Sequence, residues 1–91
     1  MADKIFDHII QKDGETVIRH VLRYELWSGE NMLHIEVVVM AGSMVDPDDA
    51  AEAKTIANVE ASLAKTAWVA ALAAAPTNVS EESTKGDVTL A

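Results

Sequence analysis

The chain has 91 residues, no cysteine and a formal net charge of −8, and 49% of its residues are hydrophobic. That length holds one domain with a modest core, and that apolar content excludes a wholly disordered chain. The absence of cysteine excludes disulfides, thiolate nucleophiles and Cys-ligated metals, while the acidity argues against duplex nucleic acid and anionic membrane surfaces, both of which require clustered Lys and Arg.

Lys4 to Lys12 reads as a first strand rich in Ile and Phe, followed by Asp13-Gly14, a strong hairpin signal. With Asp13-Gly14 at the centre of a two-residue turn, Ile10 meets Val17, Ile9 meets Ile18, His8 meets Arg19, Asp7 meets His20, Phe6 meets Val21 and Ile5 meets Leu22. The stretch Thr16 to Met40 forms a second, longer hairpin around Ser28-Gly29-Glu30-Asn31, because a type II′ turn takes Gly first. Counting outward from Ser28 opposite Asn31 sorts the side chains onto two faces. Ile18, Leu22, Tyr24, Leu26, Leu33, Ile35, Val37 and Val39 share one face with His20, and Ile5 and Ile9 join them. The other face is mixed: Arg23 lies opposite Glu36 and Glu25 opposite His34, with Trp27, Met32, Val21, Val38, Phe6 and Ile10 around them.

After a short connector, Asp46-Pro47-Asp48-Asp49 reads as a helix start, with Asp46 as N-cap, Pro47 at the first helical position and acids in the first turn. No Gly or Pro interrupts Pro47 to Ala75, and alanine dominates, so a single helix of about 25 to 29 residues is expected. Its apolar positions form two stripes, Ile56, Val59, Leu63, Ala67 and Ala70 on one side and Ala57, Ala61, Ala64, Trp68 and Leu72 on another. The pattern describes either one wide apolar face or a helix with two partners. Residues 76–91 turn polar and read as a flexible tail beyond a domain at 1–75. The apolar run Ala67 to Ala75 is about nine residues, against the roughly twenty a bilayer span needs. The N-terminus has no basic segment leading into an apolar one, so a cytoplasmic location is expected.

No phosphate loop, nucleophile elbow or zinc-protease motif is present. The register brings Asp7 beside His20 within the apolar face, with Tyr24 two pairs away, which marks a possible ligand-binding polar pair. A satisfied polar pair at the sheet margin is the plainer reading, because no nucleophile or oxyanion donor accompanies it. His8, His20 and His34 do not converge in one chain, so no metal and no cofactor are expected, and the acids after Asp46 fit a helix cap better than a calcium loop.

The expected fold is α+β: a three-stranded antiparallel meander with a long helix on its Leu22/Tyr24/Ile35/Val37 face. One helix is about 10 Å wide and covers about two strands at ~4.8 Å spacing on one face only. The mixed face therefore stays uncovered, and Phe6, Val21, Arg23, Trp27, Met32, Glu36 and Val38 are the candidate interface. The expected function is that of a non-enzymatic interaction or structural subunit that pairs with itself, through the mixed sheet face or the spare face of the helix, or with another protein, with neither nucleic acid nor membrane as partner. A small-ligand domain or enzyme with a pocket between helix and sheet near Asp7, His20 and Tyr24 is the alternative. An acidic regulator that fills a basic groove on another protein is a third reading, supported by charge alone.

Overall fold

A computed structural model describes residues 1–74, so the expected tail at 76–91 lies outside the described residues. The order is β1 (Lys4–Asp13), β2 (Thr16–Ser28), β3 (Asn31–Met40), a 3-10 turn (Ala41–Ser43) and α1 (Ala50–Ala74), which is the expected β-β-β-α arrangement. The three strands form one antiparallel sheet with β2 central. Among the described residues, no helix is long and apolar enough to cross a membrane.

The β2–β3 register runs from Ser28 opposite Asn31 to His20 opposite Val39, as the alternation predicts, and continues to Arg19 opposite Met40. Gly29 takes φ +62° at the first central position of the turn, a conformation open to glycine and strained for most other residues. α1 packs over β2 and β3. Leu22, Tyr24, Leu26, Val37 and Val39 pack against Ala53, Ala57 and Ala61 of the helix, with Met44 closing the end and Ile5, Ile35, Ile56 and Trp68 partly covered at the margins. Of the two helix stripes, the one through Ala57, Ala61 and Trp68 therefore meets the sheet. Alanines at the centre of that contact let the helix lie close to the strands, since a methyl group is all that stands between backbone and sheet.

The β1–β2 register differs from the expected one. Asp13 pairs with Thr16, so Gly14 and Glu15 hold the centre of the turn, and Gly14 takes φ +65°. The first hairpin thus uses the same Gly-Glu placement as the second. Two irregularities follow, one where Gln11 and Lys12 face Arg19 and Val17, leaving Ile18 over, and one between Ile5 and Asp7, where Phe6 is extra. Each extra residue flips the alternation of everything beyond it. Ile5 keeps the helix side opposite Tyr24, but Asp7 lies opposite Arg23, His8 opposite Leu22, Ile9 opposite Val21 and Ile10 opposite His20. His8 and Ile10 therefore exchange sides with Asp7 and Ile9 relative to the sequence expectation.

The helix also starts three residues late. Asp46-Pro47-Asp48-Asp49 closes as a turn, with the Asp49 N–H donating to the Asp46 carbonyl at 2.9 Å and the Asp48 N–H to Asp46 Oδ1 at 3.1 Å. Asp first and Pro second are the residues this turn favours. Asp49, rather than Asp46, caps the helix, its Oδ1 accepting from the N–H groups of Ala51 and Glu52 at 3.0 and 3.3 Å. The Glu52 carboxylate reaches back to the N–H groups of Val45 and Asp46 at 2.6 and 2.9 Å, a wider form of the capping box.

Candidate functional site

His20 is fully buried under the helix side of the sheet. Its Nε2 lies 2.7 Å from the Pro47 carbonyl and its Nδ1 lies 2.9 Å from His8 Nε2. A carbonyl only accepts, so Nε2 of His20 carries a proton and donates to Pro47. In the neutral ring Nδ1 then accepts, and His8 Nε2–H donates to it. This chain ties β1 and β2 to the turn that starts α1. The His8 pKa is held below its ordinary value, first by burial, then by the proximity of His20 and Lys54, with Asp7 opposing. The expected Asp7–His20 pair does not form. Asp7 is on the opposite face, its Oδ2 accepting from Arg23 at 3.3 Å, and His20 takes another imidazole and a backbone carbonyl instead.

Tyr24 lies on the same face as His20, and its hydroxyl donates to Asn58 Oδ1 at 2.6 Å. Burial raises its pKa. Beside it an open groove of about 390 Å³ runs between α1 and the β1 margin, from Tyr24 and Leu26 to Asp3 and Lys65. Lys65 Nζ donates to Asp3 Oδ2 at 2.7 Å, and Asp3 Oδ1 accepts the Trp27 backbone N–H at 2.8 Å. The lysine and the backbone N–H hold the Asp3 carboxyl below its ordinary range. The charged groups at this groove are thus engaged with each other, and the Tyr24 hydroxyl is engaged with Asn58. Among the described residues no three His, Asp or Glu side chains converge on a metal position.

The face away from the helix is different in kind. Phe6, Met32, Val38 and Met40 are each between 43 and 46% exposed there. Val21 is only 6% exposed on this same side, because it is central and the side chains of Ile9 and Val38 flank it. Two charge rows cross the strands. In one, Arg23 donates from Nε to Glu36 Oε1 at 3.1 Å and from Nη1 to Asp7. In the other, Glu25 accepts the Trp27 indole N–H at 2.9 Å, with Lys4 at 3.9 Å and His34 at 3.8 Å. The indole N–H lowers the Glu25 pKa, with Lys4 and His34 adding to the effect. Phe6, bulged out of β1, lies against the His34 ring with centroids 4.7 Å apart. Lys4, Arg19 and Arg23 on this face match Asp7, Glu25 and Glu36, so a chain of net charge −8 carries here a surface close to neutral.

A second apolar surface lies along the helix, where Val59 is 62% and Leu63 68% exposed. This is the spare helix face that the sequence pattern offers as an alternative surface for self-association. Compared with family models, curated proteins and solved structures, the chain matches none.

Proposed function

We propose that this protein is a non-enzymatic, self-associating subunit whose contact surface is the sheet face away from the helix. The carrying observation is that the face combines half-exposed Phe6, Met32, Val38 and Met40 with a balanced set of charges. Two copies with a total charge of −16 can approach through this surface without presenting like charge to one another. Burial of large apolar side chains supplies the affinity, and the Arg23 and Glu25 rows, already satisfied within each copy, fix the orientation. A two-fold axis is the simplest symmetry, because it sets the same patch against itself. The alternative pocket near His20 and Tyr24 has less support, since the polar atoms there bond one another.

The test is sedimentation of the wild type beside Phe6→Lys, a change on β1 at a side chain that is already 46% exposed. The wild type is expected to sediment as a dimer or larger species, and the variant to lose at least tenfold in association while keeping its circular dichroism spectrum. A wild type that stays monomeric at its solubility limit overturns the proposal, as does a variant that associates unchanged.

A further inference from the structure

The two edges of the sheet are not equivalent. β1 is blunted by its bulge at Phe6, a second irregularity near Gln11, and lysines at positions 4 and 12. These are the devices by which natural sheets discourage further pairing. β3 has none of them. Its sequence, NMLHIEVVVM, contains no Pro or Lys, and its pairing with β2 is regular over all ten residues.

We propose that β3 pairs antiparallel with β3 of a second copy across a two-fold axis normal to the sheet, with Ile35 opposite Ile35, making one six-stranded sheet. Such an axis keeps both helices on the same side, so only registers that pair residues of like face are allowed. Among the central ones, Glu36 opposite Glu36 sets like charges together, and His34 opposite His34 does the same when the ring is protonated. Ile35 opposite Ile35 places Glu36 opposite His34 of the second copy, twice over. Each charge row then runs unbroken across six strands, with alternating sign when His34 is protonated: Asp7, Arg23 and Glu36, followed by His34, Glu25 and Lys4 of the second copy.

The helices fit the same arrangement. Asn58, Ser62 and Lys65 line the groove on the β1 side of α1, so the opposite flank, with Ile56, Glu60, Leu63 and Ala67, overhangs β3. With α1 over the midline of β2 and β3, two helices related by this axis lie about 10 Å apart, one strand spacing of ~4.8 Å plus two half-spacings. That is a normal interhelical distance, and it covers the exposed Leu63. Edge pairing also enlarges the face described above. A three-stranded face ten residues long has a flat footprint of about 480 Å², and six strands double it to about 960 Å². Two such sheets packed face to face would close as four copies with D2 symmetry.

The edge contact is independent of the face contact, and crosslinking tells them apart. The chain has no cysteine, and opposed residues in an antiparallel ladder are about 4.5–5.5 Å apart at Cα, within disulfide range. Under mild oxidation Ile35→Cys is expected to give a covalent dimer in high yield, also in a Phe6→Lys background. In the same Phe6→Lys background, which weakens the face contact, Val38→Cys and Met32→Cys are expected to crosslink when mixed and poorly when alone, which keeps the register testable on exposed positions if Ile35→Cys fails to fold. Leu63→Glu, at a site 68% exposed, is expected to weaken edge crosslinking at least tenfold. In the Phe6→Lys background, no mixed Val38–Met32 crosslink, or equally good crosslinking of Val38→Cys alone, overturns the edge register. Loss of the face contact alone would leave all of these crosslinks in place.

Discussion

Replacing His20 with leucine tests the imidazole chain that fastens the helix start to the sheet. Leucine has nearly the volume of histidine, so the cavity contribution is small and the polar consequences dominate. The Pro47 carbonyl loses a donor at 2.7 Å and His8 Nε2–H loses an acceptor at 2.9 Å. Leaving a half-buried carbonyl without a partner costs about 1–3 kcal/mol, whereas His8, which reaches solvent, recovers most of its loss through water. The buried leucine returns about 1 kcal/mol of apolar transfer energy. With a few tenths of a kcal/mol remaining at His8, the net destabilisation is therefore about 0.5–2 kcal/mol, or roughly 2–15 °C in Tm for a domain of this size. Urea and thermal unfolding followed by circular dichroism measure it, and a cycle with His8→Ala isolates the coupling between the rings, expected at about 0.5–2 kcal/mol. A His20→Leu protein as stable as wild type would show that the Asp46–Asp49 turn is held by Met44 packing and the helix cap alone. Because His20 faces away from the uncovered side, the variant is expected to associate normally wherever it is folded.

The depressed His8 pKa predicts a pH dependence of known sign. The unfolded chain binds a proton near the ordinary value of 6.5 and the folded chain only at lower pH, so stability is full above 6.5 and falls as pH drops toward the folded value. His8→Gln removes that slope, and an unchanged slope in the variant would assign it elsewhere. The lowered Asp3 and Glu25 carboxyls lose stability only below their ordinary 3.8 and 4.5, so their contribution falls in a separate, more acid window. Asp49→Ala is expected to cost about 0.5–2 kcal/mol, and Asp46→Ala less on the helix itself, since the cap bonds come from Asp49; equal losses measured by urea unfolding would contradict that assignment. Association is expected to tighten with added salt, because screening reduces the repulsion between copies while leaving apolar burial in place. Steady weakening with salt in sedimentation runs would make charge pairing the driver instead.

The longer hairpin was legible because a single turn residue and a clean alternation agreed on it: Gly29 fixed the loop, and every apolar residue from Leu22 to Val39 fell on the correct side. The shorter hairpin was misread at Asp13-Gly14. Asp-Gly as the central pair is a stronger general preference than Gly-Glu, yet the chain uses Gly-Glu in both turns. Even the correct turn would have left Asp7 opposite Leu22, because the two extra residues at Ile18 and Phe6 carry no local signature. Bulges arise where neighbouring contacts outweigh one unpaired ladder position, and those contacts are tertiary. The His8–His20–Pro47 chain was invisible for the same reason. It needs the bulged register and a carbonyl from a turn that sequence logic had assigned to the helix.

The two apolar surfaces have one origin. Alanines at 53, 57 and 61 bring the helix close to the sheet but leave it too narrow to cover more than β2 and β3. The bulky members of the helix, Val59 and Leu63, are consequently turned outward, and among the described residues no element covers the far face of the sheet. A monomeric design would reverse these choices, placing Leu63 inward and polar residues at Phe6, Met32 and Val38. Among the described residues, Asp13, Glu15, Glu30 and the acids of the Asp46–Asp49 turn lie at the hairpin ends and before the helix, away from the sheet face, while Glu60 lies on the helix between Val59 and Leu63. On the proposed assembly, the β3 edge adjoins both apolar surfaces and is where two copies would first meet.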